Sequence, residues 1–278
     1  MTEILNIAHL NIALKKEPKR LLVKDVAFQL SAGKTTCIVG ESGSGKSLTA
    51  LTVMGLLSQQ LLATGQVLFN GVDLTTLNNK EMQSIRGAQI GMIFQEPMTS
   101  LNPVLTVGYQ ICEVLSAHKG LKGEALALKV GQLLTQVGIS ADRANSYPDE
   151  LSGGQRQRVM VAMSIACEPA LLIADEPTTA LDVTVQAQIL TLLDELKNRM
   201  HMAMLFITHD FGVVSDIADD VIVMFRGEVV EAGSKEQVLG NPQHPYTKAL
   251  LDCVPDVAGK KTLKPIDYAW LNQNKVAG

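Results

Sequence analysis

Four short runs of mostly apolar residues recur along the chain, each bounded by glycine, proline or charged positions. They occupy residues 35–39, 90–94, 171–174 and 203–208. A run of four to six such residues is typical of a strand that is buried on both faces of a parallel sheet. The pattern therefore predicts a parallel sheet at the centre of the fold.

Helical periodicity connects these runs. Apolar residues recur at helical spacing, and each of the following segments predicts a helix: 47–57, 104–137, 153–167 and 183–200. Residues 4–30 instead alternate apolar and polar positions around a basic stretch, which predicts two strands joined by a hairpin or a longer turn. A second hairpin is predicted over residues 221–231, with its turn at Arg226-Gly227. Strands that alternate with helices indicate an α/β fold.

One uncharged segment, residues 47–72, is long enough to cross a lipid bilayer. It contains many serine, threonine and glutamine residues and no sustained apolar run, so we interpret it as a buried helix. The N-terminus has no basic start followed by an apolar stretch, and no signal peptide is visible. We therefore expect a soluble cytoplasmic chain.

Composition narrows the class of protein. The 278 residues suffice for one large domain or two smaller ones, and 46% of them are hydrophobic, which excludes a disordered tail protein, a collagen or a coiled-coil rod. The formal net charge of −4 lacks the positive excess of a dedicated nucleic-acid-binding protein. The cysteines are scattered and predict reduced thiols, not disulfides or a metal site: Cys37, Cys112, Cys167 and Cys253.

Residues 40–47 read Gly-Glu-Ser-Gly-Ser-Gly-Lys-Ser and fit the phosphate-binding pattern G-x-x-x-x-G-K-[ST]. The loop follows a predicted strand and opens a predicted helix, a context that distinguishes it from a flexible Gly/Ser turn. Its backbone N–H groups and the helix N-terminus can bind phosphate oxygens. We predict that Lys46 contacts the β- and γ-phosphates of a nucleotide and that the Ser47 hydroxyl holds Mg²⁺. The candidate nucleotide-binding residues in this region are Gly40, Ser42, Gly43, Ser44, Gly45, Lys46, Ser47 and Thr49.

Two carboxylates, Asp175 and Glu176, follow the predicted strand 171–174. Acids at the tip of a buried strand face a cation or a water molecule, unless they merely cap the turn before Pro177. Because the chain also has a phosphate-binding loop, we predict that Asp175 holds Mg²⁺ directly or through a water molecule. We predict that Glu176 is the general base that polarises the attacking water.

A second candidate phosphate site is the sequence Leu-Ser-Gly-Gly-Gln at residues 151–155, at the start of a predicted helix. One nucleotide rarely needs two such sites, so this one is predicted to serve the nucleotide of another copy. At this motif the chain resembles the ATP-binding cassette (ABC) ATPases, the nucleotide-binding subunits of ABC transporters, whose signature sequence it matches at all five positions. The residues expected to contact the nucleotide of the opposite copy are Ser152, Gly153, Gly154 and Gln155.

Other landmarks of the family follow in order over about residues 4–250: Gln95 at the Q-loop, Asp182 at the end of the D-loop, and His209 at the switch histidine. The resemblance implies that two cassettes sandwich two ATP molecules, each between the phosphate loop of one and the signature helix of the other. Gln95 is expected to sense the γ-phosphate through Mg²⁺ and water. His209 is expected to contact the γ-phosphate and to brace Glu176. Asp182 is expected to tie the two sites together across the interface.

The resemblance also implies an α/β fold with a P-loop NTPase core of mostly parallel sheet, an N-terminal antiparallel β subdomain and an inserted helical signature subdomain. Residues 1–94 are expected to contain the β subdomain and the first part of the core, and residues 95–168 the helical subdomain. The second part of the core is expected in residues 169–240, followed by a C-terminal helix and a linker-like tail in residues 241–278.

Three further segments, residues 96–103, 174–182 and 244–247, resemble the ATPases of dipeptide, oligopeptide, microcin and nickel importers. This implies a partner cassette (a second copy, a paralogue or a tandem half), integral-membrane permease subunits and, indirectly, a solute-binding protein. The expected location is the cytoplasmic face of the inner membrane, with no nucleic-acid partner. The surface around residues 95–110 is expected to receive the permease.

The iron–sulfur tail of some members is not expected, because only Cys253 lies beyond residue 170. The chain fits either the first half of a tandem protein or a separate subunit.

The chain departs from the family at the adenine contact. The family usually stacks the base on an aromatic residue at the end of the first strand, and residues 1–27 contain none. The equivalent position is Leu14, which predicts weak discrimination between ATP and GTP. In the alternative, Arg20 or another residue of the basic turn lies flat on the base.

Three functions compete to explain this sequence. An importer ATPase for short peptides or a related small solute fits every landmark. A DNA-repair or translation ATPase needs a long coiled-coil insertion or an extra arm, for which the segment between Lys46 and Asp175 has no room. A degenerate cassette that binds ATP without cleaving it conflicts with intact Lys46, Glu176 and His209. Substrate identity is expected to reside in the permease and the solute-binding protein.

Overall fold

The computed structural model describes residues 2–95, 100–179 and 181–253. The predictions that concern residues 96–99, Ala180 and the tail from residue 254 lie outside the described residues. The strands are β1 (Glu3–Leu14), β2 (Glu17–Ser31), β3 (Thr35–Val39), β4 (Leu61–Phe69), β5 (Val72–Asp73), β6 (Ile90–Ile93), β7 (Leu171–Asp175), β8 (Ala203–Thr208), β9 (Asp220–Phe225) and β10 (Glu228–Ser234). The α-helices are α1 (Lys46–Val53), α2 (Asn79–Ile85), α3 (Val107–Lys119), α4 (Gly123–Gln136), α5 (Gly153–Ile165), α6 (Val183–Met200), α7 (Phe211–Ile217), α8 (Lys235–Gly240) and α9 (Pro245–Asp252).

The central sheet has the order β10-β9-β3-β8-β7-β6. Its strands from β9 to β6 are parallel, and β10 joins the edge as the antiparallel partner of β9. All four apolar runs lie in this sheet, and every residue of β3, β6, β7 and β8 is buried. The α/β prediction is confirmed, and so is the hairpin that turns at Arg226-Gly227.

A separate antiparallel sheet has the order β2-β1-β4-β5. The β1–β2 hairpin matches the prediction for residues 4–30, whereas β4 was not predicted. The interpretation of residues 47–72 as one buried helix is wrong beyond α1, because the chain turns at Gly55 (φ 60°) and returns as β4. Glycine in the left-handed region just after a helix is a common stop signal. The uncharged C-terminal part of this segment lies in β4, which pairs with β1 and is mostly exposed or half-buried.

The helical region between β6 and β7 is more divided than its periodicity indicates. Residues 104–137 were expected to be helical throughout, but α3 ends at Lys119 and is capped by Gly120 (φ 63°), and α4 begins at Gly123. The predicted helix 153–167 is observed as α5, two residues shorter at its C-terminal end.

Alternate residues of the central strands point into two different hydrophobic clusters. Cys37 and Leu172 pack in the cluster that contains α3 to α6, whereas Ile38 and Ile173 pack in the cluster that contains α1 and the antiparallel sheet. The sheet is thus covered on both faces, as expected for parallel strands. Because this burial holds the strands in place, the loops at their carboxyl ends are also held in place.

Within the described ranges, no helix combines the length and the apolar character needed to span a membrane.

Candidate functional site

The predicted site residues converge at the carboxyl edge of the central sheet. The phosphate loop follows β3, Gln95 follows β6, Asp175 and Glu176 end and follow β7, and His209 follows β8. These four strands are parallel neighbours, so their carboxyl ends lie along one edge. Ligand sites in open α/β sheets lie at this edge.

Lys46 is the first residue of α1, directly after the glycines of the phosphate loop, and only 4% of it is exposed. Its Nζ donates hydrogen bonds to the carbonyl oxygens of Gly40 at 2.7 Å and Glu41 at 2.9 Å. Burial lowers the pKa of Lys46, and the nearby carboxylates of Glu176, Asp175 and Glu41 oppose that shift. The phosphate oxygens of a nucleotide carry negative charge, and they would therefore stabilise this buried ammonium.

The loop backbone is shaped for a phosphate chain. A Cβ at Gly40 would clash with the carbonyl oxygen of Met224, so no side chain fits there, whereas a Cβ at Gly43 (φ 81°) would meet nothing within 4 Å. The buried hydroxyl of Ser44 has no hydrogen-bond partner among the described residues. Helix α1 begins directly behind this loop and adds the partial positive charge of its N-terminus. These donors fit the phosphates of a nucleotide.

Ser47 and Asp175 form the candidate magnesium position. The Ser47 hydroxyl donates to Asp175 Oδ1 at 3.0 Å. Burial raises the pKa of Asp175, and the Ser47 hydrogen bond and the charge of Lys46 oppose that rise. No cluster of three or more metal-ligating side chains occurs in the described part of the chain. A carboxylate with one hydroxyl suits Mg²⁺, which commonly takes few protein ligands and completes its shell with phosphate oxygens and water.

Three side chains meet at the carboxylate of Glu176. Its Oε2 accepts hydrogen bonds from Gln95 Nε2 at 3.2 Å and from Thr179 Oγ1 at 3.0 Å, and His209 Nδ1 lies 3.3 Å away. Thr179 was not predicted; its place three residues after Glu176 in the same turn was the available signal. The structure thus brings together Gln95, Glu176 and His209, which are far apart in sequence.

The backbone of Glu176 is itself unusual. Its φ of 47° lies in the left-handed region of backbone conformation, which residues other than glycine rarely adopt. The N–H of Glu176 donates to the carbonyl oxygen of Ile207 at 2.9 Å, so β8 holds this conformation in place. Strain of this kind, held by neighbouring structure, is common at functional sites.

Two adjoining clefts open beside these groups and share Ser42, Gln95 and Glu176. One, of about 430 Å³, also contains His209. The other runs along the phosphate loop and contains Lys46. Sequence analysis missed two residues of the first cleft, Phe211 and Leu250, because neither belongs to a recognisable motif.

The signature residues lie apart from both clefts. Ser152 caps α5 and forms a reciprocal capping box with Gln155, and Ser152 and Gly153 are exposed. A Cβ at Gly153 would meet nothing within 4 Å, whereas one at Gly154 would lie 2.7 Å from Val185 Cγ1. The structure therefore does not bring this helix start to the phosphate loop of the same chain, and Gly153 leaves room for a ligand to approach.

Asp182 and Thr49 are engaged locally. The side chain of Asp182 caps α6 by accepting a hydrogen bond from the N–H of Val185 at 2.9 Å, and Asp182 is exposed. Thr49 is buried within α1, and its hydroxyl donates to the carbonyl oxygen of Gly45 at 3.0 Å. Neither residue lines a cleft of the site.

Leu14 lies at the end of β1, paired with Glu17 of β2 and Leu61 of β4. It lines neither cleft. Arg20 is exposed and lies 3.7 Å from the carboxylate of Glu17. The structure thus leaves both candidates for the adenine contact outside the two clefts.

Two family models match this chain. One, described as ABC transporter, matches residues 23–179. The other, described as the oligopeptide/dipeptide transporter C-terminal region, matches residues 230–275. The first covers the phosphate loop, Gln95, the signature motif and Glu176; the second begins within β10.

Curated relatives and solved structures agree with these matches. The chain is 49% identical to the glutathione import ATP-binding proteins GsiA of Escherichia coli K12 (95% of this chain, 44% of the relative) and Salmonella typhimurium (93% and 43%). It thus spans less than half the length of these curated relatives. Among solved structures, the ATP-binding cassette MJ0796, described as dimeric and bound to ADP and Pi, aligns with TM-score 0.73 and 28% identity over 83% of this chain and 98% of that one. CbiO1 of Clostridium perfringens, described as part of the ABC transporter complex cbiONQ, aligns with TM-score 0.76 and 27% identity over 87% and 92%.

Proposed function

The chain belongs to the ABC transporter family, and from that premise we propose that it hydrolyses Mg-ATP to power the import of short peptides or a related small solute. The convergence of Gln95, Thr179 and His209 on the Glu176 carboxylate carries the proposal. A carboxylate held by three polar side chains beside a phosphate-binding lysine fits a base that activates water.

The phosphate loop would bind the nucleotide. Lys46 would exchange its two loop carbonyls for phosphate oxygens, and the Ser44 hydroxyl would gain a partner. Ser47 and Asp175 would hold Mg²⁺, which would neutralise phosphate charge when bound. The burial of Lys46 and Asp175 supports this role, because a buried charge without a ligand costs free energy.

Glu176 would act on the water that attacks the γ-phosphorus. As the water oxygen bonds to phosphorus, its proton passes to the Glu176 carboxylate and the bond to ADP breaks. Gln95 and His209 would fix the orientation of the carboxylate, and His209 (side chain 60% exposed) can also reach toward the γ-phosphate. The proposed catalytic residues are therefore Glu176, His209 and Gln95.

The second nucleotide-binding surface would come from a partner cassette. The exposed start of α5, with Ser152 and Gly153 open to solvent, supports a contact with the nucleotide of an opposite copy. Asp182, exposed at the start of α6, would meet the same interface. The partner is a second copy, a paralogue or the other half of a tandem protein.

Permease subunits would dock beside the site, at the inner membrane's cytoplasmic face. Several large apolar side chains are exposed in the segment that follows β6 in sequence, namely Phe94 (40%), Val104 (74%) and Tyr109 (51%). Exposed apolar groups at the start of the helical region support a protein contact there.

The substrate class follows the names of the relatives, because glutathione is itself a short peptide, and a solute-binding protein would deliver it. We propose the subdomain boundaries 1–94, 95–168, 169–240 and 241–278 for the same assembly.

Phosphate release from Mg-ATP tests this function. The purified chain, alone and reconstituted with its permease, should release phosphate with Mg²⁺ and lose that activity with excess EDTA. Lys46→Ala should abolish it, whereas Lys129→Ala, which removes only a surface ion pair with Glu168, should not. Equal activity of the Lys46→Ala and Lys129→Ala proteins would contradict the proposal.

A further inference from the structure

The C-terminal helix α9 touches the back of the phosphate loop through one side chain. Tyr246 is completely buried, and its Oη accepts a hydrogen bond from the N–H of Glu41 at 3.2 Å. The carbonyl oxygen of the same Glu41 accepts the hydrogen bond from Lys46 Nζ. One residue of the loop is therefore held by Tyr246 on its amide side and by the phosphate-binding lysine on its carbonyl side.

The aromatic ring of Tyr246 is fixed by the end of β9. Its centroid lies 4.1 Å from that of Phe225, and the Arg226 guanidinium carbon lies 4.9 Å from the Phe225 ring. The following Gly227 donates its N–H to the carbonyl oxygen of Ser44 at 3.1 Å. The β9–β10 hairpin and Tyr246 thus form one continuous support behind the loop.

The start of α9 is anchored to β10. The Glu231 carboxylate accepts hydrogen bonds from the N–H groups of Gln243 at 2.6 Å and His244 at 3.1 Å. His244 Nδ1 in turn accepts the N–H of Tyr246 at 3.2 Å, which caps the helix. One turn later, Leu250 lines the cleft that contains Glu176 and His209. The same short helix therefore supports the loop and forms part of the cleft wall.

We infer that Tyr246 is a positioning residue for nucleotide binding, which holds the phosphate loop open for phosphate through the Glu41 amide. The inference rests on the proposed function in taking Mg-ATP as the ligand. It assigns to the C-terminal region a role in nucleotide affinity that none of the phosphate-loop motifs includes. Without the hydroxyl, the Glu41 amide loses this acceptor, and the peptide unit that carries it is free to turn. The carbonyl of that unit is the Gly40 carbonyl, which accepts a hydrogen bond from Lys46 Nζ at 2.7 Å.

Tyr246→Phe tests the inference, because it removes the hydroxyl and keeps the ring against Phe225. The full chain should bind the non-hydrolysable analogue Mg-AMPPNP about three- to tenfold more weakly by calorimetry, the usual range for one hydrogen bond. In hydrolysis, KM for Mg-ATP should rise while kcat changes little. Thr247→Val is the matched control, since Thr247 is equally buried in the same helix and its hydroxyl has no partner among the described residues.

Amide hydrogen exchange of the wild-type chain gives a second readout that does not depend on how the variant folds. The Glu41 amide should be protected without nucleotide, and an unprotected amide would overturn the inference. Unchanged AMPPNP affinity in a folded Tyr246→Phe protein, or an equal loss in Thr247→Val, would also overturn it. Failure of the wild type itself to bind Mg-AMPPNP would instead contradict the proposed function.

Discussion

Gln95 and Glu176 share a hydrogen bond of 3.2 Å although 81 positions separate them in the sequence. They meet because β6 and β7 are parallel neighbours, and each residue stands just beyond the end of its strand. Gln95 also begins the segment proposed to contact the permease. A movement of that segment would therefore act directly on the carboxylate proposed as the general base.

Gln95→Ala should affect coupling more than binding, since Gln95 contacts Glu176 and not the phosphate-binding lysine. Nucleotide affinity should stay within a few-fold of wild type, while most transport-linked hydrolysis is lost. Both quantities should be measured on one reconstituted sample, with exposed Gln132→Ala as control. Equal losses of affinity and coupling would show that Gln95 merely supports the structure.

Asp175→Asn should separate stability from function. Burial raises the pKa of Asp175, so its contribution to stability is present below the ordinary value of 3.8 and is lost as pH rises through the raised value. At neutral pH the ionised carboxylate is a cost, and the amide should leave Tm without nucleotide equal or higher. The rise in Tm that Mg-ATP gives the wild type should shrink strongly. An unchanged Mg-ATP-dependent rise would exclude Asp175 from the magnesium position.

Leu14→Tyr should tighten the binding of ATP and GTP alike, because an aromatic ring stacks on the face of either base. The gain should be several-fold, since stacking contributes on the order of 1–3 kcal/mol and a leucine at the adenine would already supply part of that contact. Titration of both nucleotides measures it. Arg20→Ala should change little; a marked loss there would favour the arginine contact, and no gain in Leu14→Tyr would place the adenine elsewhere.

The cap of α9 should be sensitive to acid. Burial lowers the pKa of His244, opposed by the charge of Glu231, so the stability from neutral His244 is present above the ordinary value of 6.5 and is lost as pH falls through the lowered one. Protonated Nδ1 cannot accept the Tyr246 N–H. The protection factors of the α9 amides, which are corrected for the intrinsic pH dependence of exchange, should therefore fall on acidification. Asparagine can also cap a helix but does not titrate, so His244→Asn should remove this pH dependence. A pH dependence that persists in this variant would belong to another group.

The sequence predicted the strands of the central sheet well because burial on both faces leaves an uninterrupted apolar run. It could not predict β4, whose mixed residues show their pattern only when paired with β1. The motif residues were found because phosphate binding demands particular residue types at fixed spacing. Thr179 and Tyr246 escaped because their roles depend on distances that only the fold sets, and the left-handed backbone of Glu176 has no signature in its residue type.

The central claim is that Glu176 is the base that activates water, and the Glu176→Gln protein tests it most directly. The amide cannot take the proton, whereas Lys46 and the phosphate loop are unchanged, so ATP should bind without being hydrolysed. Phosphate release by the assembled transporter measures hydrolysis, and size-exclusion chromatography of the isolated chain in Mg-ATP measures pairing, with exposed Glu168→Gln as the control for both. The account predicts a stable, ATP-bound pair of cassettes with no phosphate release; near wild-type hydrolysis, or a chain that stays monomeric in Mg-ATP, would contradict it.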